Sequence, residues 1–142
     1  MVSDSVKNVT FMVSKNDELS TVSPEFAAGR ISESDMVSQR IVETTTLQKI
    51  FEAHAVPQRF ELLSIDVEDH DYQVLTSFDI CAYRPKVILI EMAYFMPGEP
   101  SASRIVQYLR EHDYSMRAYT SLNGLFIDLN WAEPHSTAPA RP

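Results

Sequence analysis

The chain has 142 residues, 44% of them hydrophobic, which supports one core and leaves little for a second. Its 12 basic and 20 acidic residues give a net charge of -8 with no basic patch, so neither nucleic-acid phosphate nor an anionic membrane surface is expected as the main partner. The single cysteine, Cys81, excludes an internal disulfide, and no run approaches the roughly 18 to 20 apolar residues of a membrane span, so a soluble, cytoplasmic protein is expected.

Residues 7–13 alternate, with Val9, Phe11 and Val13 on one side, and read as a half-buried edge strand. Residues 14–40 are polar, carry Pro24 and Gly29, and are expected to form a long lid-like or disordered loop. A short strand is expected over 40–43. A helix follows, because Thr45 and Gln48 have capping-box spacing and Leu47, Ile50, Phe51 and His54 fall on one face before Pro57. On that face His54 reads as a packed or half-exposed side chain rather than a catalytic one.

The chain is organised around residues 60–92. Two compact apolar runs, 60–67 and 87–92, flank about twenty residues, the length of one crossover helix with its loops. This predicts a βαβ unit. The first run is apolar at nearly every position, so both of its faces are expected to be covered, as in a parallel sheet between helices. Val74, Leu75 and Phe78 give the buried face of the crossover helix, and Cys81 is expected to be a buried small hydrophobe.

Beyond the second run, residues 92–100 form a loop rich in aromatic and sulfur side chains, suited either to wall an apolar pocket or to pack over the next helix. Ser101 or Ser103 can cap that helix, which carries Ile105, Val106 and Leu109. Segments 114–121 and 125–129 then read as a hairpin turning at Asn123-Gly124. Residues 1–131 are expected to be one domain, and the proline-bearing tail 132–142 to be disordered.

In parallel sheets ligands bind beyond the carboxyl ends of the strands, where Asp66 and Glu91 fall. Each is also the first charged residue after a buried strand, which needs no function. Asp69 can cap the crossover helix and Asp71 can complement its dipole, but neither role accounts for Asp66 or Glu68. A divalent cation is a weaker reading of this cluster, and the absence of a second histidine at ligand spacing argues against zinc.

The stretch Leu62-Leu63-Ser64-Ile65-Asp66-Val67-Glu68-Asp69-His70-Asp71, with Val74-Leu75, Arg84-Pro85-Lys86-Val87 and Ile90-Glu91, resembles the FkbM-type methyltransferase family. That family has Ile-Asp-Val-Glu-Gly, then Val-Leu, then a strand ending in Glu. The likeness extends upstream to Thr45-Thr46-Leu47 and covers most of residues 9–129. It implies a Rossmann-like α/β sheet, mostly parallel with a C-terminal antiparallel hairpin, S-adenosyl-L-methionine as cofactor, and methyl transfer to a hydroxyl of a sugar, lipid or polyketide. Asp66, Glu68 and Glu91 are the implied catalytic carboxylates, Asp66 foremost as base.

Asp69 departs from the family's Gly. A larger departure is that none of Gly29, Gly98 and Gly124 lies in a Gly-rich turn after a strand. The chain therefore reads as a methyltransferase fold lacking its first two strands and the cofactor-binding half. The alternative is a non-catalytic, oligomerising or partner-binding domain on that fold. Either way the strand over 62–67 is expected to have a bare apolar edge, closed by a homo-oligomer, by another chain, or internally by residues 9–13 or 41–42.

Overall fold

The computed structural model describes residues 1–15, 20, 28, 32, 35–68 and 70–131. Strands β1 (Asn8–Ser14) and β2 (Met36–Glu43) form an antiparallel two-stranded sheet. Helix α1 (Leu47–Ala53) leads to β3 (Arg59–Ile65), α2 (Asp71–Leu75) and β4 (Arg84–Glu91). A 3-10 turn (Pro100–Ala102), α3 (Arg104–Glu111), β5 (Tyr114–Thr120) and β6 (Asn123–Asp128) complete the described chain.

The second sheet has the order β3-β4-β6-β5, parallel between β3 and β4 and antiparallel elsewhere. This is a mixed α/β arrangement, and the βαβ unit over 60–92 is present. Registry aligns Leu63 with Ile88 and Ile65 with Ile90, while Ile88 and Ile90 face Phe126 and Gly124. These side chains, with Val74, Leu75 and Phe78 below α2 and Leu109 of α3, form the buried core.

Several expectations need correction. Among the described residues only one face of β3 is covered, and on the other Leu62 is 56% exposed. Its registered neighbour Val87, and Leu89, Leu125 and Ile127 farther along the same face, are half-buried and stand outside the core cluster. Neither β1 nor β2 pairs with β3, because they pair with each other, and β2 begins at Met36 inside the stretch read as loop. Most of the remainder of that loop and the tail 132–142 lie outside the described residues, and the expected lid with them. Cys81 is exposed, because Asp79 Oδ1 accepts from its backbone N–H and holds it in a surface turn.

One helix start is capped a residue away from the expected place, and another where it was expected. Thr46, not Thr45, caps α1 by accepting from Lys49 N–H at 3.2 Å. Gln48 is instead committed outward, donating to Glu52 and accepting from Asp79 N–H. Ser103 caps α3 by accepting from Val106 N–H. The N-cap of α2 is His70, with no side-chain hydrogen bond, and Asp69 lies outside the described residues.

The hairpin turn sits at Ser121-Leu122, with Ser121 in the left-handed region at φ 61°, and not at Asn123-Gly124. Asn123 pairs with Thr120 and Gly124 with Tyr119, inside β6. Gly124 is needed for closeness rather than for a turn. A Cβ there would lie 2.5 Å from Met92 Sδ and 2.8 Å from Phe126 Cε2.

Candidate functional site

Parallel pairing of β3 with β4 brings their carboxyl ends to one edge of the sheet. The segment 66–70 leaves β3 there, and the loop 92–99 leaves β4 beside it. Between them and the start of α3 lies a cleft of about 400 Å³, within the size range of small-molecule sites. Glu68, Asp71 and Glu91 line it, together with Met92, Phe95 and Ile105.

The loop after β4 is fixed at its root. Met92 N–H donates to Leu122 O at 2.6 Å, and Phe95 N–H to Met92 O at 3.0 Å. Phe95 turns inward against Tyr119, their ring centroids 4.7 Å apart, whereas Tyr94 and Met96 stay exposed. The pocket-wall reading of this loop is the one these contacts support: Met92 and Phe95 belong to the core and line the cleft, and the exposed Tyr94 and Met96 line it with them.

Of the three carboxylates singled out in the sequence, Glu68 and Glu91 are brought into one lining, and both are half-buried. Glu68 holds a left-handed backbone at φ 53°, a costly conformation for a non-glycine residue. Asp66 is solvent-exposed at the end of β3 and is not part of the lining.

The carboxylate that sequence reasoning undervalued is Asp71. It lines the cleft yet is only 6% exposed, and its Oδ1 accepts from Val67 N–H at 3.2 Å. Burial lifts its pKa to about 6, against the pull of the Val67 and Asp71 backbone N–H groups, and the nearby charges of Asp66 and Glu68 push it the same way as burial. A carboxylate so placed changes protonation close to neutrality, as proton-transfer groups do. Its position in the first turn of a helix supplied a sufficient structural reason and hid this.

Arg104 of α3 also lines the cleft, its guanidinium 4.0 Å from the centroid of Tyr72. A smaller cavity, about 280 Å³, lies across the Glu68 segment, lined by Phe11, Val67, Glu68 and His70 among others. There the buried Ser3 hydroxyl and His70 Nε2 are 2.9 Å apart. No set of three metal-ligating side chains comes together among the described residues, so the divalent-cation reading gains no ligand set. No helix among them is long and apolar enough to cross a membrane.

A mixed sheet with a carboxylate-edged cleft beyond the ends of two parallel strands defines an α/β protein with a cleft at the edge where such folds bind ligands. The family model described as Methyltransferase FkbM domain matches residues 2–116, and the chain belongs to that family. No curated protein and no solved structure matches it.

Methyltransferases of this family generally use S-adenosylmethionine. In such folds the cofactor rests on a Gly-rich turn after one strand and on an acidic residue ending the next. Among the described residues, Gly98 stands alone in the loop after β4, Gly124 is inside β6, and the carboxylates of the cleft end or follow β3 and β4. These residues do not make that cradle.

Proposed function

We propose that this chain carries the acceptor-binding side of an FkbM-type O-methyltransferase. The observation that supports it is the convergence of Glu68, Asp71 and Glu91 on one cleft at the carboxyl ends of β3 and β4. Methyl transfer to a hydroxyl needs the acceptor held in place and its proton removed. The cleft offers a wall to hold the acceptor and carboxylates to receive the proton. Asp71, with its raised pKa, and Glu91 on the neighbouring strand are the groups best placed to do so, with Glu68 between the two cavities. Asp66, at the same strand end, is the further carboxylate of the set and acts from outside the lining.

The test is isotope transfer from S-adenosylmethionine to a panel of hydroxyl compounds by the native gene product. Incorporation that falls in Asp71→Asn and Glu91→Gln supports the assignment. Incorporation unchanged in both variants overturns it.

A second reading is supported by β3 itself. Among the described residues β3 pairs with β4 alone, and Leu62 stands exposed beside that edge. Unpaired N–H and C=O groups with no proline or lysine between Arg59 and Ile65 make a template for a further strand. On this reading the chain is an assembly module, completed by a second copy or by a chain that extends the sheet.

A further inference from the structure

We propose that the cleft beyond β3 and β4 takes an uncharged hydroxyl compound with an aromatic or aliphatic body, in preference to a sugar or an anionic acceptor. The inference rests on reading the cleft as the acceptor site, and it selects among the classes of acceptor that reading leaves open.

Met92, Phe95, Met96 and Ile105 supply the apolar part of the lining, with the ring of Tyr94 beside them. Thioethers and hydrocarbon rings give dispersion contacts and adapt their shape to a ligand, but they offer only weak hydrogen-bond acceptors and no donors. A sugar laid on these four side chains would lose water from the hydroxyls that face them with no partner there to replace it, which costs free energy at each one. An alkyl or aromatic body loses nothing polar there and gains from the removal of apolar surface from water.

Carboxylates outnumber the other charged groups in the lining: Glu68, Asp71, Glu91 and Glu99 share it with the neutral polar residues Tyr72, Gln73 and Ser103. Arg104 is the single cation among the described lining residues, and its guanidinium is stacked on Tyr72. An anion entering here would meet four carboxylates against one guanidinium, and like charges repel appreciably even in partly solvated surroundings. One hydroxyl, donating toward the carboxylates from an otherwise apolar molecule, satisfies both sets of groups. The rooted loop keeps the apolar wall in place, since Met92 and Phe95 are anchored through Leu122 O and Tyr119.

Ligand-observed NMR and the methyl resonances of labelled methionines test this on the full chain, without any methyl donor, so the result is independent of whether the chain transfers methyl groups. The probes are 2-naphthol, methyl β-glucoside, and the isosteric set 2-phenylethanol, phenethylamine and phenylacetate. We expect saturable binding of 2-naphthol and 2-phenylethanol that moves the Met92 and Met96 methyl signals, with phenylacetate and the glucoside weaker by about tenfold or more. Met96→Glu, at an exposed position that leaves the core untouched, should weaken 2-naphthol by a similar factor. Preferential binding of the glucoside, of phenylacetate or of phenethylamine overturns the proposal, as does 2-naphthol binding that leaves both methionine signals unmoved. Should the apolar alcohols bind as expected while the carboxylate variants leave methyl transfer unchanged, the ligand class stands and the catalytic assignment falls.

Discussion

Arg84 at the start of β4 grips Asp128 at the end of β6 with two nitrogens, its Nε donating to Oδ2 at 3.0 Å and its second nitrogen to Oδ1. The same guanidinium donates to His112 O at 3.1 Å and lies over the ring of Tyr114. Burial alone would raise the Asp128 pKa, but the bonds from Arg84 and from Asn130 N–H outweigh it and hold it below the usual value. Asp128→Ala leaves a largely buried guanidinium without its carboxylate and should cost about 3 kcal/mol in urea unfolding at pH 7. Because the folded pKa is depressed, the contribution of Asp128 is present above its unfolded pKa and lost as pH falls through the folded one. The variant should therefore show a shallower loss of stability in acid than the parent.

Gly124→Ala should destabilise the fold by about 1 to 2 kcal/mol, since the new methyl group meets Met92 Sδ and the ring of Phe126. The Met92 side chain is flexible, so it yields first, and it yields beside the cleft. Combining Gly124→Ala with Met92→Ala should cost less than the sum of the two, as measured by a double-mutant cycle in urea. Additive costs would show that Phe126, not Met92, takes the strain.

Asp71 has a folded pKa raised from 3.8 to about 6. Its stabilising contribution is thus fully present below the unfolded value and lost as pH rises through about 6, leaving a buried charge at neutral pH. Asp71→Asn removes that charge and keeps an oxygen for Val67 N–H, so the variant should be more stable at pH 8 by about 1 to 2 kcal/mol after allowance for solvent screening. In a methyl-transferring form the same change should abolish most turnover, whereas Asp66→Asn, at an exposed position, should leave the fold intact and lower turnover less. Gain of stability with loss of activity is the signature of a functional carboxylate. Equal activity in Asp71→Asn and the parent would reduce Asp71 to a structural residue.

The purified chain should bind S-adenosylmethionine weakly or not at all, because the described residues offer no glycine turn for it. Calorimetry is the direct measurement. Micromolar affinity would show that the chain holds its own cofactor site and would return Asp66 to the centre of the reaction.

If β3 takes a further strand, the chain should sediment as a dimer or larger species at micromolar concentration, burying at least about 1,000 Å². A monodisperse monomer with slowly exchanging amides along both edges of β3 would contradict this.

Much of the fold was legible in residues 60–92, where apolar runs of strand length flank a helix-length connection and short-range pattern suffices. The hairpin was legible but its turn was not. Asn123-Gly124 carries the composition of a turn, while Gly124 is there to admit Met92, a contact between residues far apart in the chain. The same limit hid Asp71, whose burial depends on how the segment after β3 folds back to offer Val67 N–H. Glu68 and Glu91 could be placed because strand ends are local features, and topology did the rest. The β1–β2 pairing joins segments separated by a long polar stretch, so nothing in either segment pointed to the other.

The β1–β2 sheet is continued by bonds between its flanking segments: Ser3 N–H donates to Thr45 O, Thr45 N–H to Met1 O and Thr44 N–H to Lys7 O. Toward the segment after β3, the Ser3 hydroxyl meets His70. Two-stranded sheets are marginal by themselves, so this one should open and reclose as a local unit while the four-stranded sheet stays folded. Each opening that carries Ser3 away breaks its contact with His70, two residues from Glu68. The sheet thus adjoins the segment that edges the cleft, through Ser3 and through Phe11, which shares the smaller cavity with Val67, Glu68 and His70.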